Sequence, residues 1–345
     1  MENNSLIPIS NALPALVKKT DMQLGLMKKI LDLAIYSDLP ELIPYRKGDK
    51  WGFCDRNKKI VIECVYDKVA SFAEGLAWVK RNEKCGYIDK TGKEVISFIY
   101  DDAWNFSEGL AKVKKNKKWG YIDKIGKEVI TCIYDEAHIF YEGLTRVGKD
   151  KKYGYIDKVG KEVIPCIYDC ISYSFSENLV AIQKSGKWGY ADKTGKEAIP
   201  CIYSNARNFS EGLADVEKDK KYGYIDVTGK EIIPCTYDNT CNFSEGLAAV
   251  QKSEKKGFID KNGNEIIPYI YDDYFYDYSF SEGLVAVQKY RKWGFIDKTG
   301  KEVIPFIYDE DDYIYIGGFS KGLAKVKKSE KWGYIDKRGV EYWED

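Results

Sequence analysis

The sequence has very few of the residues from which many active sites and metal sites are built. Its only histidine is His138, in a chain of 345 residues. One histidine excludes any two-histidine metal site and leaves a single candidate for a Ser-His-Asp or Cys-His arrangement. No phosphate-binding glycine loop follows a strand, and no carboxylate pair stands out for glycosidase chemistry. We therefore expect a chain that is not an enzyme and has no cofactor and no metal.

The chain also lacks a charge imbalance and a long apolar run. Its 54 Lys and Arg residues balance 54 Asp and Glu residues, so no net field draws it to nucleic acid or to an anionic membrane. No run of about 18 apolar residues could form a membrane span. The first residues show no basic leader followed by an apolar core. These features predict a cytoplasmic protein with no nucleic-acid or membrane partner.

Closely spaced cysteine pairs are absent as well, although the chain has nine cysteines. Zinc sites need pairs such as Cys-x-x-Cys, and the nearest pair here is Cys166 and Cys170. Five cysteines instead fall in one column of a repeat: Cys64, Cys132, Cys166, Cys201 and Cys235. We interpret them as reduced thiols that form a stacked, buried ladder with one member per unit.

What the chain does have is an internal repeat, seen best in Trp293–Pro305, which reads WGFIDKTGKEVIP. The Gly that follows the Trp or its substitute marks nine copies, at Gly52, Gly86, Gly120, Gly154, Gly189, Gly223, Gly257, Gly294 and Gly333. The spacings are 34, 34, 34, 35, 34, 34, 37 and 39 residues. A period of this length is typical of repeat proteins, whose short units bury apolar faces only against neighbouring units.

Each copy predicts three short strands. In the second complete unit these are residues 110–113, 119–123 and 127–130, of which the last two are joined by a turn. Asp123 at the first turn position and Gly126 at the fourth suit a type I turn closed by a left-handed Gly. The Asp recurs in all nine copies, and we interpret it as a turn residue because its side chain accepts local backbone N–H groups.

The Gly after the Trp lies inside a predicted strand, where glycine is unfavourable. A Gly in that place indicates the close approach of a backbone or a large ring, and we expect the Trp or Tyr ring of one unit to lie over it. The Glu of the recurring Phe-Ser-Glu-Gly-Leu segment and the lysines before each Trp are interpreted as solvated ridges that block edge-to-edge pairing.

The two ends of the chain differ from the repeats. Thr20 and Gln23 resemble a capping box, and Leu24, Met27 and Leu31 follow at helical spacing. Residues 1–45 are therefore predicted to form a helical cap on the array of residues 46–345. The last copy ends in Glu341-Tyr342-Trp343-Glu344-Asp345, which we interpret as a C-terminal cap.

These motifs resemble the WG repeat, also called the KWG repeat, of bacterial proteins. The resemblance rests on Lys-Trp-Gly-Tyr-Ile-Asp, Gly-Lys-Glu-Val-Ile-Pro and Tyr-Asp…Phe-Ser-Glu-Gly-Leu, and it covers about residues 45–341. It implies a β-rich tandem repeat that serves as a scaffold or binding module. The resemblance implies no shared catalytic residue.

The expected fold is an all-β repeat protein, an open array of about nine three-stranded antiparallel units with a short helical N-terminal cap. A closed β-propeller is the alternative. Propeller blades normally have four strands and 40 or more residues, and the usual blade number is four to eight. A unit of 34 residues in nine copies therefore favours the open array.

The expected function is a non-enzymatic binding scaffold for a protein partner, with its oligomeric state left open. One column of the linking segment changes chemical type at every step while its neighbours stay constant, so we expect it to face outward. The predicted partner-binding residues on one face are Trp104, His138, Tyr173, Arg207, Tyr274, Tyr276, Tyr313 and Tyr315. A glycan- or peptidoglycan-binding, lectin-like module is the alternative, since aromatic rings also stack on sugars.

Overall fold

The structure is a computed structural model that describes residues 40–272, 278–309 and 318–343. Most of the predicted helical cap, residues 1–39, lies outside the described residues. The described part of that cap contains no helix, and Ile43 already begins the first strand. The chain divides into two compact units, unit 1 up to Gly143 and unit 2 from Leu144.

The described residues form strands and turns, with no helix among them. The strands of unit 1 are β1 (Ile43–Lys47), β2 (Lys50–Cys54), β3 (Ile60–Tyr66), β4 (Lys68–Val69), β5 (Leu76–Arg81), β6 (Lys84–Asp89), β7 (Glu94–Tyr100), β8 (Asp102–Ser107), β9 (Leu110–Lys115), β10 (Lys118–Ile122), β11 (Glu128–Tyr134) and β12 (Glu136–Ala137).

The strands described in unit 2 repeat the same pattern. They are β13 (Leu144–Lys149), β14 (Lys152–Asp157), β15 (Glu162–Tyr168), β16 (Cys170–Ile171), β17 (Leu179–Lys184), β18 (Lys187–Asp192), β19 (Glu197–Tyr203), β20 (Asn205–Ala206), β21 (Leu213–Lys218), β22 (Lys221–Asp226), β23 (Glu231–Tyr237), β24 (Asn239–Thr240), β25 (Leu247–Lys252), β26 (Lys255–Asp260), β27 (Glu265–Asp272), β28 (Leu284–Lys289), β29 (Lys292–Asp297), β30 (Glu302–Tyr308), β31 (Leu323–Lys328) and β32 (Lys331–Asp336).

The strands form about nine small antiparallel sheets, and none of these sheets is closed. The predicted all-β class and antiparallel repeat units are confirmed. Many sheets have a fourth strand that we did not expect, as in the order β4-β5-β6-β7. This strand comes from the linking segment, where Asp102 pairs with Lys114 and Ala103 with Val113. A propeller blade also has four strands, so strand number does not separate the two folds. Only the repeat length and the copy number favour an array over a propeller.

The predicted turn role of the repeated Asp is confirmed. The N–H of Gly92 donates to the backbone carbonyl of Asp89 at 3.0 Å. The Asp89 carboxylate accepts the N–H groups of Thr91 at 2.9 Å and Lys93 at 3.1 Å. Gly92 has a φ of 85°, in the left-handed region that favours glycine. The carboxylate therefore holds together the tight connection between the second and third predicted strands.

The Gly after the Trp or its substitute lies against backbone in the copies from Gly52 to Gly223, and our expectation of an overlying ring was wrong for these copies. A Cβ on Gly120 would lie 2.5 Å from the carbonyl oxygen of Ile130. The β10–β11 register shifts on either side of Tyr121, and this bulge brings the neighbouring strand close to Gly120. Rings come close in the later copies: a Cβ would lie 3.0 Å from the Tyr269 ring at Gly257, 3.0 Å from the Phe306 ring at Gly294 and 2.1 Å from the Trp343 ring at Gly333.

Sheets within each unit stack face to face, so a sheet buries both of its faces. In unit 1, Leu76 and Tyr87 of one sheet share a buried cluster with Val113 and Ile122 of the next. In unit 2, Tyr155 and Ile164 share another with Val180 and Ile182. Alternation of apolar and polar residues along a strand would suggest that one face of the sheet meets solvent. Both faces are instead apolar, because each is covered by a neighbouring sheet.

Candidate binding surface

A ladder of tyrosine hydroxyls holds the backbone of the variable column in place. In unit 1, Tyr87 donates its hydroxyl to the carbonyl of Trp104 at 2.8 Å, and Tyr121 donates to the carbonyl of His138 at 2.6 Å. In unit 2 the donors Tyr155, Tyr190 and Tyr224 reach the carbonyls of Ser172, Arg207 and Cys241. Burial raises the pKa of Tyr87 and Tyr190, so both remain hydrogen-bond donors at neutral pH.

Two further contacts join successive copies at the Phe-Ser-Glu-Gly-Leu segment. Ser107 donates its hydroxyl to the carbonyl of Phe140 at 3.0 Å. The carboxylate of Glu74 accepts the N–H of Gly109 at 3.1 Å and pairs with Lys124 at 3.0 Å. Glu74 and most of its counterparts are exposed, as a solvated ridge requires, but that interpretation missed a structural role. They bind the next copy, because a carboxylate can satisfy a backbone N–H that strand pairing leaves open.

In unit 1, the variable side chain Trp104 takes part in a stack of three residues. The Lys112 ammonium lies 4.4 Å from the ring centre of Trp104 and 4.4 Å from that of Trp119. It also donates to the carbonyl of Ala137 at 2.9 Å. Burial lowers the pKa of Lys112. Trp104 is nevertheless 52% exposed, so its ring is attached on one side and open to solvent elsewhere.

In unit 2, different residues build the same kind of stack around Tyr173. The Arg146 guanidinium lies 4.1 Å from the ring centre of Tyr153 and 4.6 Å from that of Tyr173. Arg146 is buried, whereas Tyr173 is 71% exposed. A desolvated cation–ring contact stabilises by about 2 kcal/mol. Both stacks can therefore restrict the rotation of an exposed aromatic side chain.

Arg207 has a different set of partners. It donates to the carbonyl of Thr240 at 2.6 Å and lies 3.4 Å from a carboxylate oxygen of buried Asp215. Thr240 donates its hydroxyl to the same carboxylate at 3.1 Å. The Arg207 side chain remains partly exposed, although its guanidinium is held by these two partners.

The predicted site residues divide into three groups. Trp104, Tyr173 and Arg207 are exposed, while His138 is half-buried. Tyr274, Tyr276, Tyr313 and Tyr315 lie outside the described residues. A common face for all eight stays a prediction.

The expectation that the whole variable column faces outward was wrong at Cys241, which is buried. Sequence reasoning also missed Lys112 and Arg146. A second variable column in the sequence could have indicated them. It lies at the third position of the strand that begins with Leu. It reads Trp78, Lys112, Arg146, Ala181, Asp215, Ala249, Ala286 and Lys325.

The cysteine column lies outside these stacks. All nine cysteines are free thiols, and the Cys132 thiol donates to the carbonyl of Val113 at 3.8 Å. Burial raises the pKa of Cys132 to about 11, so this thiol stays protonated at neutral pH. Among residues 40–272, 278–309 and 318–343, no group of three or more His, Cys, Asp or Glu side chains could hold a metal ion. No helix in that part of the chain is suited to crossing a membrane.

Solved structures similar to this chain share little sequence with it. A eukaryotic initiation factor structure has a TM-score of 0.45 at 10% identity, over 88% of this chain and 96% of that chain. BamB from Moraxella catarrhalis has a TM-score of 0.30 at 12% identity, over 75% and 94%. AztD from Citrobacter koseri has a TM-score of 0.36 at 11% identity, over 76% and 92%. No curated protein sequence matches this chain.

The family comparison covers most of the sequence. The model of the WG containing repeat matches eight times, at residues 51–85, 86–119, 119–153, 153–188, 188–222, 222–255, 257–293 and 293–332. These matches include both stacks and the tyrosine ladder described above. This chain belongs to the family of WG containing repeat proteins.

Proposed function

We propose that this chain is a non-enzymatic binding scaffold that captures a protein partner through the variable column. The observation that carries the proposal is the contrast between backbone and side chains in that column. The carbonyls of Trp104, His138 and Arg207 are all held by a tyrosine hydroxyl. The side chains at these positions are an indole, an imidazole and a guanidinium. A constant backbone with changing side chains allows specificity to vary without loss of the fold.

Trp104 and Tyr173 are the proposed anchors of the partner. Interface hot spots are enriched in Trp, Tyr and Arg, and truncation of such a residue costs about 2 kcal/mol or more. Binding also loses less entropy when an anchor is already restrained. The contacts with buried Lys112 and Arg146 provide that restraint. The four tyrosines of the enlarged segments, Tyr274, Tyr276, Tyr313 and Tyr315, are proposed as further contributors.

The test is quantitative capture of proteins from the native cell with the full chain as bait. We expect the double variant Trp104→Ala with Tyr173→Ala to lose partners that the wild type captures, with affinity reduced by roughly thirtyfold or more. Tyr141→Ala and Tyr290→Ala are matched controls, because both rings are exposed and lie outside the variable column. Equal capture by the double variant and the wild type would contradict the proposal.

A glycan array applied to the same proteins tests the lectin-like alternative. If an oligosaccharide binds in a way that depends on Trp104 and no protein is captured, the partner is a carbohydrate and not a protein. Loss of protein capture in the double variant, with no sugar bound by the wild type, would support the scaffold.

A further inference from the structure

Unit 2 contains an open surface cavity of about 270 Å³. Lys149 at the end of β13 and four residues of β15 contribute to its walls, namely Glu162, Pro165, Cys166 and Ile167. Pro165 and Cys166 are half-buried, whereas the other three are exposed. Sites for drug-sized ligands measure roughly 300–1,000 Å³, so this cavity suits a group no larger than one large side chain. It lies outside the variable column.

A copy in unit 1 shows which group the same position of the repeat can hold. There Phe98 takes the place of Cys166, and Arg81 takes the place of Lys149. The Arg81 guanidinium lies 4.4 Å from the centre of the Phe98 ring and 3.8 Å from a carboxylate oxygen of Glu94. An aromatic ring and a cation of the same sheet therefore fill this position together.

Two copies in unit 2 also place a ring in the cysteine column, where they have Tyr269 and Phe306. The Lys252 ammonium, which corresponds to that of Lys149, lies 5.7 Å from the centre of the Tyr269 ring. The Phe306 ring lies close to the glycine of its repeat, since a Cβ on Gly294 would be 3.0 Å from it. A ring at this position thus recurs with a cation beside it and a glycine beneath it.

The copy that contains the cavity keeps the surroundings of the ring but has a thiol in its place. Gly154 and Lys149 correspond to the glycine and the cation of the other copies. Burial raises the pKa of the Cys166 thiol to about 11, so its sulfur is uncharged at neutral pH. Thiol sulfur and cations both make favourable contacts with aromatic rings. Pro165 and Ile167 add apolar surface to the same walls.

We propose that the cavity beside Cys166 accepts a phenyl or phenol ring, as the side chain of Phe or Tyr in a partner protein. In the other copies the chain itself supplies this ring, and here it comes from another molecule. The Lys149 ammonium attracts the negative face of a ring and repels Lys or Arg. Glu162 repels a carboxylate, so an uncharged ring suits both charges. This contact goes beyond the surface proposed above, because it includes no residue of the variable column.

The first test titrates N-acetylphenylalanine amide into the full chain and follows the amide signal of Ile167 by NMR. We expect a saturable shift with a dissociation constant on the order of 1 mM, and no shift with N-acetylalanine amide. Lys149→Met should weaken binding by about threefold, as expected for loss of an exposed cation–ring contact. Lys151→Met removes the same charge from an exposed residue outside the cavity walls, so binding should stay unchanged.

Cys166→Phe is the decisive variant, because it fills the cavity with the ring that other copies already have. We expect it to keep the circular dichroism spectrum of the wild type, since Phe98 and Phe306 fit the same position. The probe should no longer shift the amide signal of Ile167. An equal shift in this variant, or a wild-type chain that shows no saturable shift, would overturn the proposal. So would equal losses in Lys149→Met and Lys151→Met.

The second test selects random displayed peptides on the full chain with Trp104→Ala and Tyr173→Ala, after removal of those that bind Cys166→Phe. We expect the remaining peptides to share a Phe or Tyr and to be released by N-acetylphenylalanine amide. Peptides without a shared aromatic residue, or none remaining, would contradict a protein ring as the occupant. Because both anchors of the variable column are absent from this bait, the result does not depend on the function proposed above.

Discussion

The hexapeptide Lys-Trp-Gly-Tyr-Ile-Asp occurs twice, at residues 118–123 in unit 1 and 331–336 in unit 2. In the first place Tyr121 is buried and donates its hydroxyl to the carbonyl of His138. In the second place Tyr334 is half exposed. The local strand is the same, since both segments pair with the preceding strand in one register. The difference shows that a neighbouring sheet, and not the repeat motif itself, decides whether this ring belongs to a core.

The glycine of the hexapeptide supports the same conclusion. Gly120 is crowded by the carbonyl of Ile130 in the adjacent strand, whereas Gly333 is crowded by the ring of Trp343. The last copy thus fills the space beside its glycine with a side chain where the interior copy uses backbone. Two different neighbours therefore impose the same requirement, which is the absence of a Cβ at this position.

The largest expected effect comes from removing the ring in both places. Tyr121→Ala should lower the free energy of unfolding by about 3–5 kcal/mol, as for other buried aromatic residues. Tyr334→Ala should cost about 1 kcal/mol or less, because much of its ring is already in water. Denaturant unfolding measures both values. Hydrogen exchange should show that sheets next to β10 lose protection first, since coupling is between nearest neighbours. Equal costs at the two sites would contradict the comparison.

Removing only the hydroxyl of each tyrosine tests the same comparison with a smaller expected effect on the free energy of unfolding. Tyr121→Phe should cost about 1–2 kcal/mol, because the carbonyl of His138 loses its buried donor. Tyr334→Phe should change the free energy of unfolding by less than about 0.5 kcal/mol. Thermal unfolding of both variants provides the measurement. A cost at Tyr334 as large as that at Tyr121 would mean that Tyr334 is buried in solution.

The smallest effect concerns the Asp that ends the second hexapeptide. A hydrogen bond from the Arg338 side chain lowers the pKa of Asp336 from its ordinary 3.8 to about 2. Since the folded pKa lies below the unfolded one, the stabilisation is present above about pH 3.8 and is lost as the pH falls towards 2. A carboxyl NMR titration should show this low pKa and its rise in Arg338→Gln. An unchanged pKa in that variant would exclude the arginine as its cause.

Much of the repeat could be predicted because its signals are local. The Asp and Gly of each turn act within five residues, so a single copy such as Asp89–Lys93 contains the whole reason for its geometry. The fourth strand was missed because two residues, as in Glu136–Ala137, are too few to show an alternating pattern. The length of the repeat and its copy number needed no structure at all.

The candidate site was predicted less completely, for a physical reason. Trp104 and Tyr173 could be found from variability, and both are exposed. Cys241 in the same column is buried, and nothing in its own segment indicates that. Lys112 and Arg146 were missed because lysine and arginine are seldom fully buried. Their burial depends on aromatic rings that come from other strands.

The sequence alone determined the period, three strands of each copy and the Asp–Gly turns, because each follows from conformational preferences within one copy. Only the tertiary structure decided which face of each sheet is covered, where Lys112 and Arg146 direct their charges, and which Glu residues bind the next copy. These contacts join residues about 7 to 50 positions apart, as Lys112 to Trp119 and Glu74 to Lys124 show. Their energies depend on burial by neighbouring sheets, which no single copy of the motif contains.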